Sequence, residues 1–160
     1  MTDNITTSVC FTGHRTIAPS KIESLKSQLH EIIENLYKKG HRYFYCGMAI
    51  GFDLLAAETL IELKAQYPDI YLTACIPFIG QESRFSTTDQ KRYQMALTTA
   101  DTRIIISNVF SKQSYLLRNI YMLEHSGIVI AYFDINIKTG GTYFTYKKAI
   151  QMGKEVRNIF

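Results

Sequence analysis

Three short segments carry the glycines and polar side chains that could do chemistry in this chain. The first, FTGHR, follows an apolar run and offers hydrogen-bond donors around a flexible turn: Thr12, Gly13, His14 and Arg15. Such donors suit a phosphate or a ribose, since glycine lets the backbone approach a ligand closely. The alternative is a plain exit from a strand with solvated charges, and the motif alone does not decide between the two.

The second segment, CGMAIGFD, has two glycines four residues apart and leads directly into a predicted helix. Its candidate ligand-binding residues are Gly47, Met48, Ala49, Gly51, Phe52 and Asp53. Amides in such a turn can point at an anion, and the amino end of a helix adds about half a positive charge. The segment is neither GxGxxG nor a P-loop, because no GK[ST] follows. The alternative for Asp53 is a carboxylate in the first turn of the helix, where the helix dipole favours a negative charge without any ligand.

The third segment, KTGGT, lies between an apolar run and the last predicted helix. Its double glycine and its hydroxyl cap, at Gly140, Gly141 and Thr142, form a second anion cradle of the same design. A glycine pair in a surface turn is usually only a turn. Two such cradles at one edge of a sheet, however, favour a shared anionic ligand.

Other candidate contacts lie in predicted helices and strand ends. Arg118 and Asn119 lie in the middle of a helix, in YLLRNIYMLEHS, and Arg118 could clamp a phosphate bidentately if it faces the cleft. An exposed helical arginine is the preferred interpretation from sequence alone. Pro77 closes a strand at the same predicted edge and is a further candidate.

Two carboxylates on one predicted helix, Asp53 and Glu58, are candidate catalytic groups if they reach a bound ribose. For Glu58 the alternative is a solvated helix position. Four aromatic residues in or beside the same loops could stack on a base: Phe52, Phe78, Phe85 and Tyr115. For Phe52 and Phe78, packing is the preferred interpretation.

Apolar periodicity predicts the elements that must position these groups. Strands are predicted at 8–12, 42–46, 71–76, 103–107, 127–134 and 155–159, and helices at 21–38, 53–66, 89–99, 114–124 and 142–152. This alternation predicts an α/β fold, a Rossmann-like three-layer sandwich with a mainly parallel sheet, as a single domain over 1–160. Ligands bind beyond the carboxyl ends of such strands, so the candidate loops, including a long polar loop at 78–88, are expected at one edge.

Composition limits the partners. The 18 Lys and Arg are scattered and the net charge is only +4, which argues against nucleic-acid binding. The sequence has neither an apolar run of membrane-spanning length nor, in MTDNITTSVC, the pattern of a secretion signal, so a cytoplasmic location without membrane contact is expected. Cys10, Cys46 and Cys75 lack paired ligand spacing, which favours free thiols, buried or half-buried, over a metal site. No cofactor is expected.

Taken in order, the motifs resemble the SLOG superfamily, most closely its YpsA/YoqJ-like branch from bacteria and their phages. FTGHR, CGMAIGFDLLAAE, the IPF loop, YLLRNIYMLEHS and GGTYFTYKKA cover nearly the whole chain. The resemblance implies a Rossmann-like fold and a site for a nucleotide or a nucleotide-derived ligand, such as an ADP-ribose or NAD derivative. It also implies that the three glycine segments form the pocket, and that Arg118 and Asn119 match a recurring pair. Distant relatives are the Lonely Guy phosphoribohydrolases and DprA.

Two departures from the relatives bear on the chemistry. The phosphoribohydrolases carry PGGxGTxxE, whose glutamate serves catalysis; the matching position here is Thr145, and the leading proline is absent. Gly127 stands where relatives often have aspartate. Three functions stay open: binding that senses or sequesters a nucleotide, hydrolysis of an N-glycosidic bond, and single-stranded DNA binding of the DprA type. Self-association as a homodimer or higher homo-oligomer is also open.

Overall fold

Strands and helices alternate along the chain, as the periodicity predicts. A computed structural model describes residues 4–160; the first three residues, part of the segment examined for a secretion signal, lie outside the described residues. The strands are β1 (Ser8–Gly13), β2 (Tyr43–Cys46), β3 (Tyr71–Phe78), β4 (Thr102–Ser107), β5 (Ile128–Tyr132) and β6 (Glu155–Asn158). They form one sheet in the order β4-β3-β2-β1-β5-β6, and every pairing is parallel.

Five α-helices of the described chain cover the two faces of this sheet. They are α1 (Ile22–Lys38), α2 (Phe52–Gln66), α3 (Thr87–Thr99), α4 (Lys112–Glu124) and α5 (Gly140–Gln151). Helices α1, α2 and α3 pack side by side on one face, and α4 packs against α5 on the other. The Rossmann-like three-layer sandwich is therefore confirmed.

The prediction of a long polar loop at 78–88 is wrong in its extent. A 3-10 turn occupies Gln81–Arg84, and α3 already begins at Thr87. The Ser86 side chain caps this helix by accepting a hydrogen bond from the Asp89 amide at 3.1 Å. Polar residues of this segment therefore form a turn and the capped amino end of α3.

Alternation along β1 divides its side chains between two cores. Val9 and Phe11 enter the larger core under α1, α2 and α3, whereas Cys10 enters the smaller core under α4 and α5. The three cysteines are free and buried, as predicted. Burial raises the pKa of the Cys10 and Cys75 thiols to about 12. Since the thiolate is the reactive form, these thiols are inert packing groups.

The strand order creates a crevice between β1 and β5. From β1 the chain adds β2, β3 and β4 outward on one side, and then returns through α4 to place β5 on the other side of β1. The loops that follow β1 and β5 therefore diverge, which is the usual ligand position in open α/β sheets. Within residues 4–160, each helix is too short or too polar to cross a membrane.

Candidate functional site

A cavity of about 400 Å³ lies at this crevice. Its walls come from the end of β1, the turn after β2, one face of α4 and the amino end of α5. The candidates from the sequence that line it are Thr12, Gly13, His14, Arg15, Ala49, Asp53, Arg118, Asn119, Gly140, Gly141 and Thr142. The first and third glycine segments therefore meet at one cavity.

Several candidates lie elsewhere. Met48 and Phe52 are fully buried in the larger core, and Pro77 is buried within β3. The Glu58 carboxylate accepts a hydrogen bond from Arg92 Nε at 3.1 Å, between α2 and α3. It does not line the cavity, so the geometry leaves Asp53 as the carboxylate available to a ligand there.

Three glycines contact the protein's own atoms closely. A Cβ atom on Gly13 would lie 2.4 Å from the Phe52 ring, and one on Gly51 would lie 2.4 Å from the Arg15 carbonyl oxygen. On Gly47, a Cβ atom would lie 2.8 Å from the guanidinium carbon of Arg118. Close packing within the protein therefore requires glycine at these positions, whether or not a ligand approaches them.

The turn after β2 also uses two of its amides internally. The Ala49 amide donates to Asp53 Oδ2 at 3.3 Å, and the Phe52 amide donates to the His14 carbonyl at 3.1 Å. These two amides are thus engaged by protein acceptors, contrary to the expectation that the turn directs its amides at an anion.

The amino end of α5 has the open geometry expected of an anion cradle. Apart from the adjacent residues and the backbone of α5 itself, no heavy atom of the described residues lies within 4 Å of the Cβ positions of Gly140 and Gly141. Thr139, at the N-cap position, makes no side-chain capping hydrogen bond. The first amides of α5 therefore lie at the cavity wall without a side-chain cap, at the positive end of the helix dipole.

A chain of buried hydrogen bonds connects the two glycine turns. Arg118 is only 4% exposed, so the interpretation as an exposed helical arginine is wrong. Its Nη1 donates to the Gly47 carbonyl, and its Nε donates to Asn119 Oδ1 at 2.7 Å. Asn119 Nδ2 then donates to Thr145 Oγ1, which donates to the Gly141 carbonyl, each at 2.9 Å. Arg118 and Asn119 thereby fix the turn after β2 relative to α5.

Thr145 is the member of this chain that sequence reasoning did not connect with the site. Its side chain is buried, and its hydroxyl accepts a hydrogen bond from Asn119 of α4 and donates one to the Gly141 carbonyl within α5. A signal was available, because Thr145 lies four residues after Gly141 and therefore on the same helix face. At the position that matches the phosphoribohydrolase glutamate, this protein has a structural hydroxyl.

Asp53 is the buried carboxylate of the cavity. It is 6% exposed, and its Oδ1 has no hydrogen-bond partner in the described part of the chain. Burial raises its pKa to about 6, although the positive charges of Arg118 and Arg15 oppose the shift. Near neutral pH this carboxyl group therefore remains ready to change its protonation state when a ligand binds.

Asp53→Asn should change the pH dependence of stability. The pKa of Asp53 lies above its ordinary value of 3.8, so its stabilising contribution is complete below pH 3.8 and is lost as the pH rises through 6. At pH 8 the free energy of unfolding of the variant should be about 3 kcal/mol higher than that of the wild type, so the variant is more stable there. At pH 4 the two values should be nearly equal. Urea unfolding at both values measures this. An equal difference at the two pH values would contradict the prediction.

His14 anchors the loop that follows β5. Its Nε2 accepts a hydrogen bond from the Asp134 amide at 2.8 Å, and burial lowers its pKa. Since Nε2 is the acceptor, a neutral ring carries its proton on Nδ1. The first glycine segment therefore holds the loop that leads to α5.

The sequence model of the YpsA family, described as the YspA SLOG family, matches residues 10–159. This protein belongs to the YpsA SLOG family. The resemblance seen in the motifs is thereby confirmed over almost the whole chain. The match covers each of the segments that line the cavity.

Curated relatives of this YpsA-family protein are UPF0398 proteins of Bacillus. One from Bacillus cereus strain B4264 is 27% identical over 139 residues, which cover 86% of this chain and 74% of that protein. One from Bacillus thuringiensis strain Al Hakam is 26% identical over 139 residues, with the same shares of 86% and 74%. These names state no activity.

Solved structures with the same fold include two DprA proteins. DprA from Streptococcus pneumoniae has a TM-score of 0.64 at 14% identity, covering 94% of this chain but 49% of that one. DprA from Helicobacter pylori, described as binding single-stranded DNA, has a TM-score of 0.59 at 19% identity, covering 93% and 63%. TM1055 has a TM-score of 0.55 at 15% identity, covering 93% and 71%. The chain thus spans about half the length of pneumococcal DprA, and these similarities show the fold alone.

Proposed function

We propose that this YpsA-family protein binds a nucleotide or a nucleotide-derived ligand, such as an ADP-ribose or NAD derivative, and thereby senses or sequesters it. One observation carries the proposal: the uncapped amino end of α5 and the unpartnered Oδ1 of Asp53 belong to the same cavity. Amides at a helix start suit a phosphate group. A buried carboxylate suits a ribose hydroxyl, because it then gains the hydrogen bond that it lacks.

The charges around the cavity support an anionic ligand. Arg15 is exposed, and its guanidinium lies 5.3 Å from the ring centroid of Tyr115. Arg118 also lines the cavity, while its Nε and Nη1 hold Asn119 and the Gly47 carbonyl. The cavity volume of about 400 Å³ lies within the range of small-molecule sites.

Isothermal titration against AMP, ADP, ADP-ribose, NAD and ribose 5-phosphate tests the proposal. At least one of these should bind with micromolar affinity. Arg15→Ala should weaken that binding about tenfold, since a charge-assisted hydrogen bond to phosphate is lost. Lys91→Ala is the control, because it removes one exposed positive charge from α3, outside the cavity. Absence of micromolar binding to every probe would remove the proposal.

Hydrolysis of an N-glycosidic bond is a second candidate, and the pKa of Asp53 favours it. A carboxyl group with a pKa of about 6 can act as a general acid or base near neutral pH. Asp53 has no acidic partner among the described residues that line the cavity, since Glu58 pairs with Arg92 outside it and Thr145 replaces the glutamate of the hydrolases. We therefore expect AMP and NAD to stay intact on long incubation. Release of the base that Asp53→Asn abolishes would favour the hydrolase instead.

The third candidate is single-stranded DNA binding. It is suggested by the similarity to the Helicobacter pylori DprA, and this similarity concerns the fold alone. A strand-binding groove combines clustered cations with stacking aromatics and gives a steep dependence on salt. The cations of this chain are scattered, so titration with oligothymidine at low salt should show no binding.

A further inference from the structure

A second cavity, of about 740 Å³, opens beside the first. Much of its wall comes from Phe78, Phe110 and three residues of the 3-10 turn, Gln81, Ser83 and Arg84. Arg15, Ala49 and Tyr115 line both cavities. A single extended ligand can therefore reach from one cavity into the other past these three residues.

Aromatic rings dominate one side of this second cavity. Phe110 and Tyr115 each contact Phe78 edge-on, with ring centroids 5.0 Å and 5.3 Å from the Phe78 centroid. Phe110 is 63% exposed. Its ring is thus available to a further planar group, and stacking between a nucleobase and an aromatic side chain tolerates any base.

The charges around the second cavity suit the same ligand. Arg15, Arg84 and Lys112 line it, and none of the described residues in its wall is acidic. Arg15 stands where the two cavities meet, so a phosphate placed between them would lie beside its guanidinium. The second cavity therefore offers stacking surface with cations at its border, whereas the first offers amides and a carboxylate.

We propose that one ligand spans both cavities, with its base stacked in the second, its diphosphate between Arg15 and the first turn of α5, and its terminal sugar at Asp53 in the first. The ligand class is then a nucleoside diphosphate extended by a further sugar or nucleoside, and not a mononucleotide. This inference rests on the proposed function and names the ligand of the same site. The base contacts Phe110 and Tyr115, the diphosphate contacts the first amides of α5, and the terminal sugar contacts Asp53.

Titration of ADP-ribose, ADP and ribose 5-phosphate tests this division, because ADP carries the base end of ADP-ribose and ribose 5-phosphate carries its sugar end, the two parts overlapping in one phosphate. ADP-ribose should bind at least about tenfold more tightly than either part. Phe110→Ala should weaken ADP-ribose and ADP about tenfold and leave ribose 5-phosphate unchanged, since loss of stacking affects only the base. Val109→Ala is the matched control, because this neighbouring side chain is 71% exposed and outside the cavity wall. Thermal unfolding checks that both variants are folded.

Each other result has a definite meaning. If ADP-ribose binds no more tightly than one of its parts, or if Phe110→Ala weakens all three probes equally, the two-cavity inference is overturned and nucleotide binding at the first cavity stands. If none of the probes binds, nor AMP or NAD, the proposed function falls together with the inference.

Discussion

Arg118→Ala should lower the free energy of unfolding by about 4 kcal/mol, because removal of one partner from a buried charged network leaves the others unpaired. Asn119 Oδ1 would lose its buried donor, and the Gly47 carbonyl would lose one of its two, keeping the hydrogen bond from Gln81 Nε2 at 3.0 Å. The Asp53 carboxylate would lose a nearby positive charge that opposes the effect of its burial. The truncated side chain would also leave a void against the turn after β2.

Urea unfolding measures this loss, with Arg92→Ala as the matched control. Arg92 also pairs with carboxylates, but its side chain is 31% exposed, and an exposed pair contributes at most about 1 kcal/mol. The loss of stability in Arg118→Lys should lie between the losses in Arg118→Ala and Arg92→Ala, because lysine keeps the charge but lacks the planar donor geometry of arginine. A loss for Arg118→Ala no larger than that of the control would contradict the role of Arg118 as the link between the two turns.

The fold was predictable because its signals are local. The apolar run IVIAY of β5 and the helical spacing of Leu25, Leu29 and Ile33 report burial directly from the sequence. The run RIIIS does not, because it forms the edge strand β4, where Ile105 is 48% exposed. Strand order was not predictable in this way, since it depends on which loops cross the sheet. The sheet is parallel throughout, and the crevice between β1 and β5 follows from that order.

The burial of Arg118 was not predictable because α4 reverses the usual pattern of an amphipathic helix. Leu116 and Leu117 are 37% and 52% exposed, whereas Arg118 and Asn119 are 4% and 9% exposed. A rule that buries apolar residues therefore assigns this helix the wrong inner face. Local rules are expected to fail where a sequence serves a site, so this reversal itself supports the cavity as the functional centre.

The glycines show a second limit of the sequence. Gly51 and Gly141 both belong to glycine-rich turns at the same sheet edge, so the sequence alone gives the two positions the same interpretation. The structure separates them: Gly51 lies against the Arg15 backbone, while Gly141 faces open space. Ligand approach and internal packing both select glycine, and only the surrounding atoms distinguish the two causes.

Gly51→Ala should destabilise the protein by about 4 kcal/mol, from backbone strain and a steric clash together. Its φ of +80° lies in the left-handed region, and a Cβ atom would lie 2.4 Å from the Arg15 carbonyl oxygen. Backbone cannot move aside as a flexible side chain does, so the turn before α2 must shift. Urea unfolding at pH 7 measures the loss.

Gly141→Ala is the matched substitution at the open turn. Its φ is not in the left-handed region, and within residues 4–160 the new Cβ has no heavy atom within 4 Å beyond its adjacent residues and the backbone of α5, so stability should change by less than about 1 kcal/mol. Because the added methyl group lies at the cavity wall, it should instead weaken the binding of ADP-ribose. Equal losses of stability in the two variants would mean that the α5 turn is as closely packed as the α2 turn. The uncapped amides of α5 would then have no space for a phosphate, and the anion site would have to be sought elsewhere.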